Sequence, residues 1–291
     1  MSESLDALLA LLDLEPLEVN IYRGQNRDLG TGRVYGGQVF AQALVAARRT
    51  VNENREAHSA HAYFILPGDL AAPIVYFVDR LRDGNSFTTR RVTAIQHGQA
   101  IFNLSASFHI KEDGPAHQFE MPVVPHPDTL KPELQTIREM ADRIPESLRS
   151  LLTQERPIDV RPVGDYDPIR GEKREPLRRA WFRAVDRLPD APWIHQALLA
   201  YASDYGLLIT ALQPHGIPYR SRGLQLASLD HSLWMHRPFR ADEWLLYSTD
   251  SPVTWGARGF VRGTIHSQSG ELVASVAQEG LIRMRSSEKK S

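Results

Sequence analysis

Apolar residues recur along this chain in two rhythms, and the change from one to the other divides it into elements. From Leu5 to Pro16 leucines fall at helical spacing among acidic residues, which predicts a short amphipathic helix. Longer helical patterns run from Gly37 to about Arg49 and from Trp193 to about Leu212, each leaving a glycine- or proline-bearing approach. After each of them the rhythm shortens to period two, in runs separated by glycine-bearing turns, as antiparallel strands require. The last run is the clearest. Leu272, Ala274, Val276, Gln278, Gly280 and Ile282 share one face, and Val273, Ser275, Ala277, Glu279 and Leu281 the other.

The helix-then-strands layout occurs twice, which predicts a duplication. Sliding the chain by 172 residues sets Gly84 on Gly256, Arg90 on Arg262 and Gly98 on Gly270. A slide of 171 sets Tyr63 on Trp234 and Pro67 on Pro238, a one-residue loop difference. Between the copies, from Asp113 to Pro176, prolines and charges repeatedly break regular structure. The expected division is a first repeat over 1–113, a linker over 114–176 and a second repeat over 177–291. The fold class is α+β, each repeat wrapping an antiparallel sheet around one long helix.

Composition narrows the chemistry. The formal net charge is -1, so there is no basic field to draw the chain to nucleic acid or an anionic membrane. The absence of cysteine excludes disulfides, thiolate zinc sites and cysteine nucleophiles, and is compatible with a reducing cytoplasm. No apolar run approaches the roughly 20 residues that span a bilayer, and the N-terminal leucine stretch lacks the positive flank of a signal peptide. The closing Ser-Glu-Lys-Lys-Ser291 is not a Ser-Lys-Leu address. A soluble, cytoplasmic protein without membrane insertion is the expectation.

Six stretches carry a family resemblance. They are Arg33-Val-Tyr-Gly-Gly-Gln-Val-Phe-Ala-Gln42, Tyr63-Phe-Ile-Leu-Pro-Gly-Asp69, Leu81-Arg-Asp-Gly-Asn-Ser-Phe-Thr-Thr-Arg-Arg-Val92, His195-Gln-Ala-Leu-Leu-Ala-Tyr-Ala-Ser-Asp204, Ser228-Leu-Asp-His-Ser-Leu-Trp-Met-His236 and Gly270-Glu-Leu-Val-Ala-Ser-Val-Ala-Gln-Glu-Gly280. Agreeing in order and spacing from about residue 10 to 285, they resemble the acyl-CoA thioesterase II family. The resemblance implies a double-hotdog fold and hydrolysis of fatty acyl-CoA without a metal or organic cofactor. It also implies a homo-oligomer, and a catalytic water held by Asp204, Ser228 and Gln278. Serine at 228 keeps the hydroxyl of the threonine that the family also uses, but not the methyl that fixes its rotamer.

Taken one at a time, the same residues admit plainer roles. Asp204 falls in the apolar stripe of the second helix, where it is either a base with a raised pKa or a cap to a neighbouring loop. Gln278 is the lone amide on its apolar face and could simply satisfy buried backbone groups. Ser228, on a face with Leu224, Leu226 and Trp234, could be a small core filler. The repeat weighs against those roles. Its registers set Ala57 opposite Ser228 and Ala106 opposite Gln278, and aligning the helices at Gly36 and Ile194 sets Ala46 opposite Asp204. One competent and one degenerate copy follow. Oxyanion donors are expected at the start of the second helix, around Ile194 to Gln196.

Other signals carry less. The pairs His58/His61 and His231/His236 lack the helical spacing and accompanying acids of a zinc motif, and read as ordinary hydrogen-bonded histidines. Arg90 and Arg91 read as a solvated pair rather than a phosphate clamp. There is no Gly-x-Ser-x-Gly elbow. Two other functions remain open: a hotdog hydratase, which needs a histidine soon after the helical aspartate where none occurs before His215, and a non-catalytic acyl-CoA-binding module.

Overall fold

The computed structural model describes residues 1–30, 32–165, 167 and 170–285, so the C-terminal pentapeptide lies outside the described residues. The first half opens with α1 (Glu3–Leu12), as the leucine spacing predicts, and buries Leu5, Leu8, Leu11 and Leu12. Strands β1 (Glu15–Glu18) and β2 (Ile21–Gly24) lead to the long helix α2 (Gly36–Arg48), then to β3 (Glu56–Phe64), β4 (Ile74–Asp83), β5 (Phe87–Gln96) and β6 (Gln99–His109). Helix α2 is buried all round from Gly37 to Ala47, because the sheet curls about it.

The connecting segment holds two short helices, α3 (Glu133–Glu139) and α4 (Glu146–Thr153), and also β7 (Ile158–Pro162). Strand β7 falls inside the stretch expected as linker, yet it pairs with β8 (Leu177–Ala184) and so belongs to the second half of the sheet. Then come α5 (Pro192–Ser203), α6 (Ile209–Leu212), β9 (Leu224–Ser228), β10 (Asp230–Met235), β11 (Leu245–Trp255), β12 (Arg258–Ser267) and β13 (Leu272–Met284).

The strands form one 13-stranded sheet in the order β1-β2-β4-β5-β6-β3-β10-β13-β12-β11-β8-β7, with β9 also on β13. The halves meet at β3 and β10, where Tyr63 faces Asp230, His61 faces Ser232 and Ser59 faces Trp234. That ladder is its own image under the 171-residue slide, so a pseudo-dyad passes through the His61–Ser232 pair, whose side chains lie 3.1 Å apart. The double-hotdog architecture is thus a single sheet in which each half wraps its own helix.

The ladders also test the repeat registers. Ala57 pairs with Phe108 as Ser228 pairs with Gly280, so Ala57 is the counterpart of Ser228. Ala106 pairs with Arg90 as Gln278 pairs with Val261. Arg90 therefore corresponds to Val261, and Arg262 to Arg91, one residue from the register the sequence suggested. The surface confirms the correction, since Arg91 pairs with Asp79 at 2.8 Å and Arg262 with Asp250 at 3.0 Å, the same ion pair in each half. Nor is Arg90 solvated. It is 1% exposed, and its guanidinium donates to Thr50 Oγ1 at 2.8 Å, to the Thr50 carbonyl at 3.0 Å and to Asp83 at 2.5 Å.

Candidate active site

Asp204 sits where helix α5 stops. The apolar periodicity predicts one helix to Leu212, but the backbone ends α5 at Ser203 with Asp204 as its C-cap, and the helical path resumes only at Ile209. Gly206, in the left-handed region at φ +66°, makes the break, as glycine does at helix ends. Instead of lying within a helical stripe, Asp204 is set at the lip of a cleft. Burial raises its carboxyl to about 6, against the opposing pull of hydrogen bonds from Gln278, the Gly37 backbone N–H and Ser228.

Two strands bring the partners. Gln278 stands on the inward face of β13 and is 1% exposed. Ser228 ends β9 opposite Gly280, one rung away on the same face. Between Ser228 and Ser232 the chain advances four residues while its partner strand moves back only three, from Gly280 to Ala277. This bulge at Leu229 and Asp230 flips the register, so Ser228 shares its face with His231 and Leu233, and Trp234, expected beside it, points the other way. The Gln278 Nε2 donates to Ser228 Oγ at 2.8 Å, and that hydroxyl lies 3.5 Å from Asp204 Oδ1. The three polar residues singled out from sequence thus form one hydrogen-bonded group.

The helix terminus that reaches them is not the expected one. Gly36 and Gly37, which open α2 of the first half, lie against Asp204: a methyl on Gly36 would stand 2.8 Å from Asp204 Oδ2, and one on Gly37 2.4 Å from the Tyr201 carbonyl. Only glycines allow that approach. Tyr35 Oη, just before them, donates to the same Tyr201 carbonyl at 3.0 Å. The start of α5 faces the opposite way, where Gln196 Nε2 donates to the Ala57 carbonyl at 3.1 Å. The Gly-Gly pair that opens α2 is the available sequence signal. Which half's helix it serves is set only by the joining of the two sheets.

Around the group opens a cleft of about 1710 Å³. Its walls include Ile137, Ile144, Leu148 and Leu152 of the connecting segment and Arg27 and Arg220 at polar edges. That segment is tied down by Glu133, which accepts from Tyr205 Oη at 2.8 Å and pairs with Arg156 at 3.1 Å. On the other side of the pseudo-dyad, the space beside Ala57 and Phe108 measures only about 10 Å³, room for one water at most. Phe108 fills the place of Gly280. The α2 residues lining this remnant are Leu44, Val45 and Arg48, the immediate neighbours of Ala46 among them.

Two family models match the chain: one described as acyl-CoA thioesterase over residues 147–281, the other as acyl-CoA thioesterase N-terminal domain over residues 26–109. Acyl-CoA thioesterase 2 of Haemophilus influenzae is 42% identical over 283 residues, covering 97% of this chain and 99% of that protein. Acyl-coenzyme A thioesterase 8 of Homo sapiens is 40% identical, covering 94% of this chain and 88% of that protein. Among solved structures, the acyl-CoA thioesterase II TesB2 of Mycobacterium marinum superposes with a TM-score of 0.79 at 44% identity, over 96% of this chain and 99% of that one.

Proposed function

From the premise that this chain belongs to the acyl-CoA thioesterase family and hydrolyses acyl-CoA thioesters, we propose that a single water held by Asp204, Ser228 and Gln278 performs the attack. The observation that carries this reading is the half-buried, base-range carboxyl of Asp204 in direct contact with a hydroxyl and an amide at one lip of a large cleft. Asp204 takes a proton as the water oxygen adds to the thioester carbonyl carbon. Ser228 and Gln278 complete the water's hydrogen bonds. The positive end of α2, whose Gly37 N–H donates to Asp204, offsets through the helix dipole the negative charge that grows on the carbonyl oxygen. When the tetrahedral intermediate collapses, the C–S bond breaks and the proton held by Asp204 passes to the leaving thiolate. A fatty acid and CoA result.

Fatty chains suit the apolar wall of Ile137, Ile144, Leu148 and Leu152. The division into two hotdog repeats with a connecting segment also belongs to this reading, with the second repeat entered at β7. A homo-oligomer belongs to it too, supported by the exposed aromatic residues Tyr63, Phe77, Phe87 and Trp255 on the strands.

Incubation with palmitoyl-CoA, following free thiol by colour, tests the activity. Running it in water labelled with heavy oxygen tests the mechanism, which expects label in the fatty acid and no acyl-protein. An acyl ester trapped on Ser228 would overturn the water-attack reading.

A further inference from the structure

Behind Gln278, on the side away from the cleft, lies a histidine that the proposed mechanism does not use. His231 is 0% exposed, and its ring meets Phe40 edge-on at 4.8 Å. Its Nδ1 is 2.5 Å from Gln278 Oε1, and its Nε2 is 2.8 Å from the hydroxyl of Ser203, the residue just before Asp204. Burial lowers the ring's pKa to about 4, so at neutral pH it carries one proton.

The location of that proton follows from the partners. An amide oxygen can only accept, so Nδ1 must be the N–H that donates to it, which leaves Nε2 as a lone pair facing the Ser203 hydroxyl, whose single proton is shared with the Ala200 carbonyl at 2.9 Å. The other tautomer would press a lone pair against the amide oxygen at 2.5 Å. An amide has an accepting end and a donating end, and fixing one fixes the other. With its oxygen held by His231, Gln278 turns its NH₂ to Ser228 and Asp204. Rotated by half a turn, it would set its oxygen against the carboxylate and could not support the water between them.

We propose that His231 is a positioning residue for thioester hydrolysis, donating through Nδ1 to hold the Gln278 amide with its NH₂ toward Ser228, Asp204 and the attacking water. The inference rests on the site proposed above. Its test uses three replacements: His231→Asn, whose N–H falls near Nδ1; His231→Gln, whose N–H reaches the Nε2 position; and His231→Leu, which keeps bulk alone. Each is measured for kcat, KM and melting temperature, in the native background and with Gln278→Ala.

The expected result is a loss of kcat of roughly 10–100-fold in the leucine and glutamine variants with KM within about twofold, as for other residues that orient a reactive side chain. Asparagine should recover most of the rate. In the Gln278→Ala background all three should differ by less than about twofold, since the group being positioned is gone. Equal losses for asparagine and glutamine would overturn the proposal, as would a leucine penalty undiminished by Gln278→Ala. If Gln278→Ala alone left hydrolysis intact, the site reading would fail first and take this inference with it.

Discussion

Replacing Asp204 by Asn should make the protein a far worse enzyme and a more stable fold, and the second effect should depend on pH. The carboxyl is raised from 3.8 to about 6, which corresponds to roughly 3 kcal/mol for keeping it ionised in the folded chain at neutral pH. Because the residue partly faces the cleft and its bonds to Ser228 and Gln278 can rearrange, a net gain of about 1–3 kcal/mol is expected for the neutral amide. The sign follows from the raised value: the stability contributed by protonated Asp204 is complete below the unfolded pKa of 3.8 and is lost as pH rises through about 6. The variant should melt roughly 2–10 °C above the native protein at pH 8 and near it at pH 4. Hydrolysis of palmitoyl-CoA, read as thiol release, should fall by roughly 10²–10⁴. The native rate should decline as pH drops through about 6. An Asn variant that keeps its rate, or one whose melting difference is the same at both pH values, would refute the reasoning that Asp204 is a strained, buried base.

Three further outcomes are expected. Ser228→Thr should stay within a few-fold of the native rate, whereas Ser228→Ala, which removes a donor and an acceptor, should lose far more; equal rates would make Ser228 mere packing. Titration with a thioether analogue of acyl-CoA in a calorimeter should give one site per chain, because the space beside Ala57 is about 10 Å³ against about 1710 Å³ beside Ser228. Arg90→Met should cost roughly 1–3 kcal/mol, seen as a lower melting temperature, by stranding the Thr50 hydroxyl and carbonyl that the guanidinium serves. Activity per folded molecule should be unchanged, since Arg90 lines no part of the cleft.

Strand registers were legible because a buried sheet face enforces period two, and a slip of one residue would turn the whole face outward. That constraint placed Ala57 and Ala106 opposite Ser228 and Gln278 without a structure. It failed at Arg90, where a buried arginine mimicked the identity expected of its exposed neighbour, and at Trp234, where a bulge inserted an extra residue. The helical period erred in a different way. Tyr205 and Gly206 interrupt α5 inside a pattern whose apolar residues continue through Leu212, so the break depends on the left-handed turn at Gly206. The meeting of α2 with Asp204 was illegible for a third reason, since it arises from pairing β3 with β10 and no local pattern encodes that.

That pairing means the half with alanines opposite Ser228 and Gln278 is no vestige. The space on its side is closed by its own Phe108 and by Trp193 of the other half, yet its Gly36 and Gly37 lie against Asp204 and Tyr201 of its twin. The helix is therefore divided along its length: Leu44, Val45 and Arg48 line the closed side, while the amino end meets the proposed site, whose residues lie more than 160 positions away. Under the proposed site neither half is complete alone, and a lone repeat of this chain would be a half-lined groove.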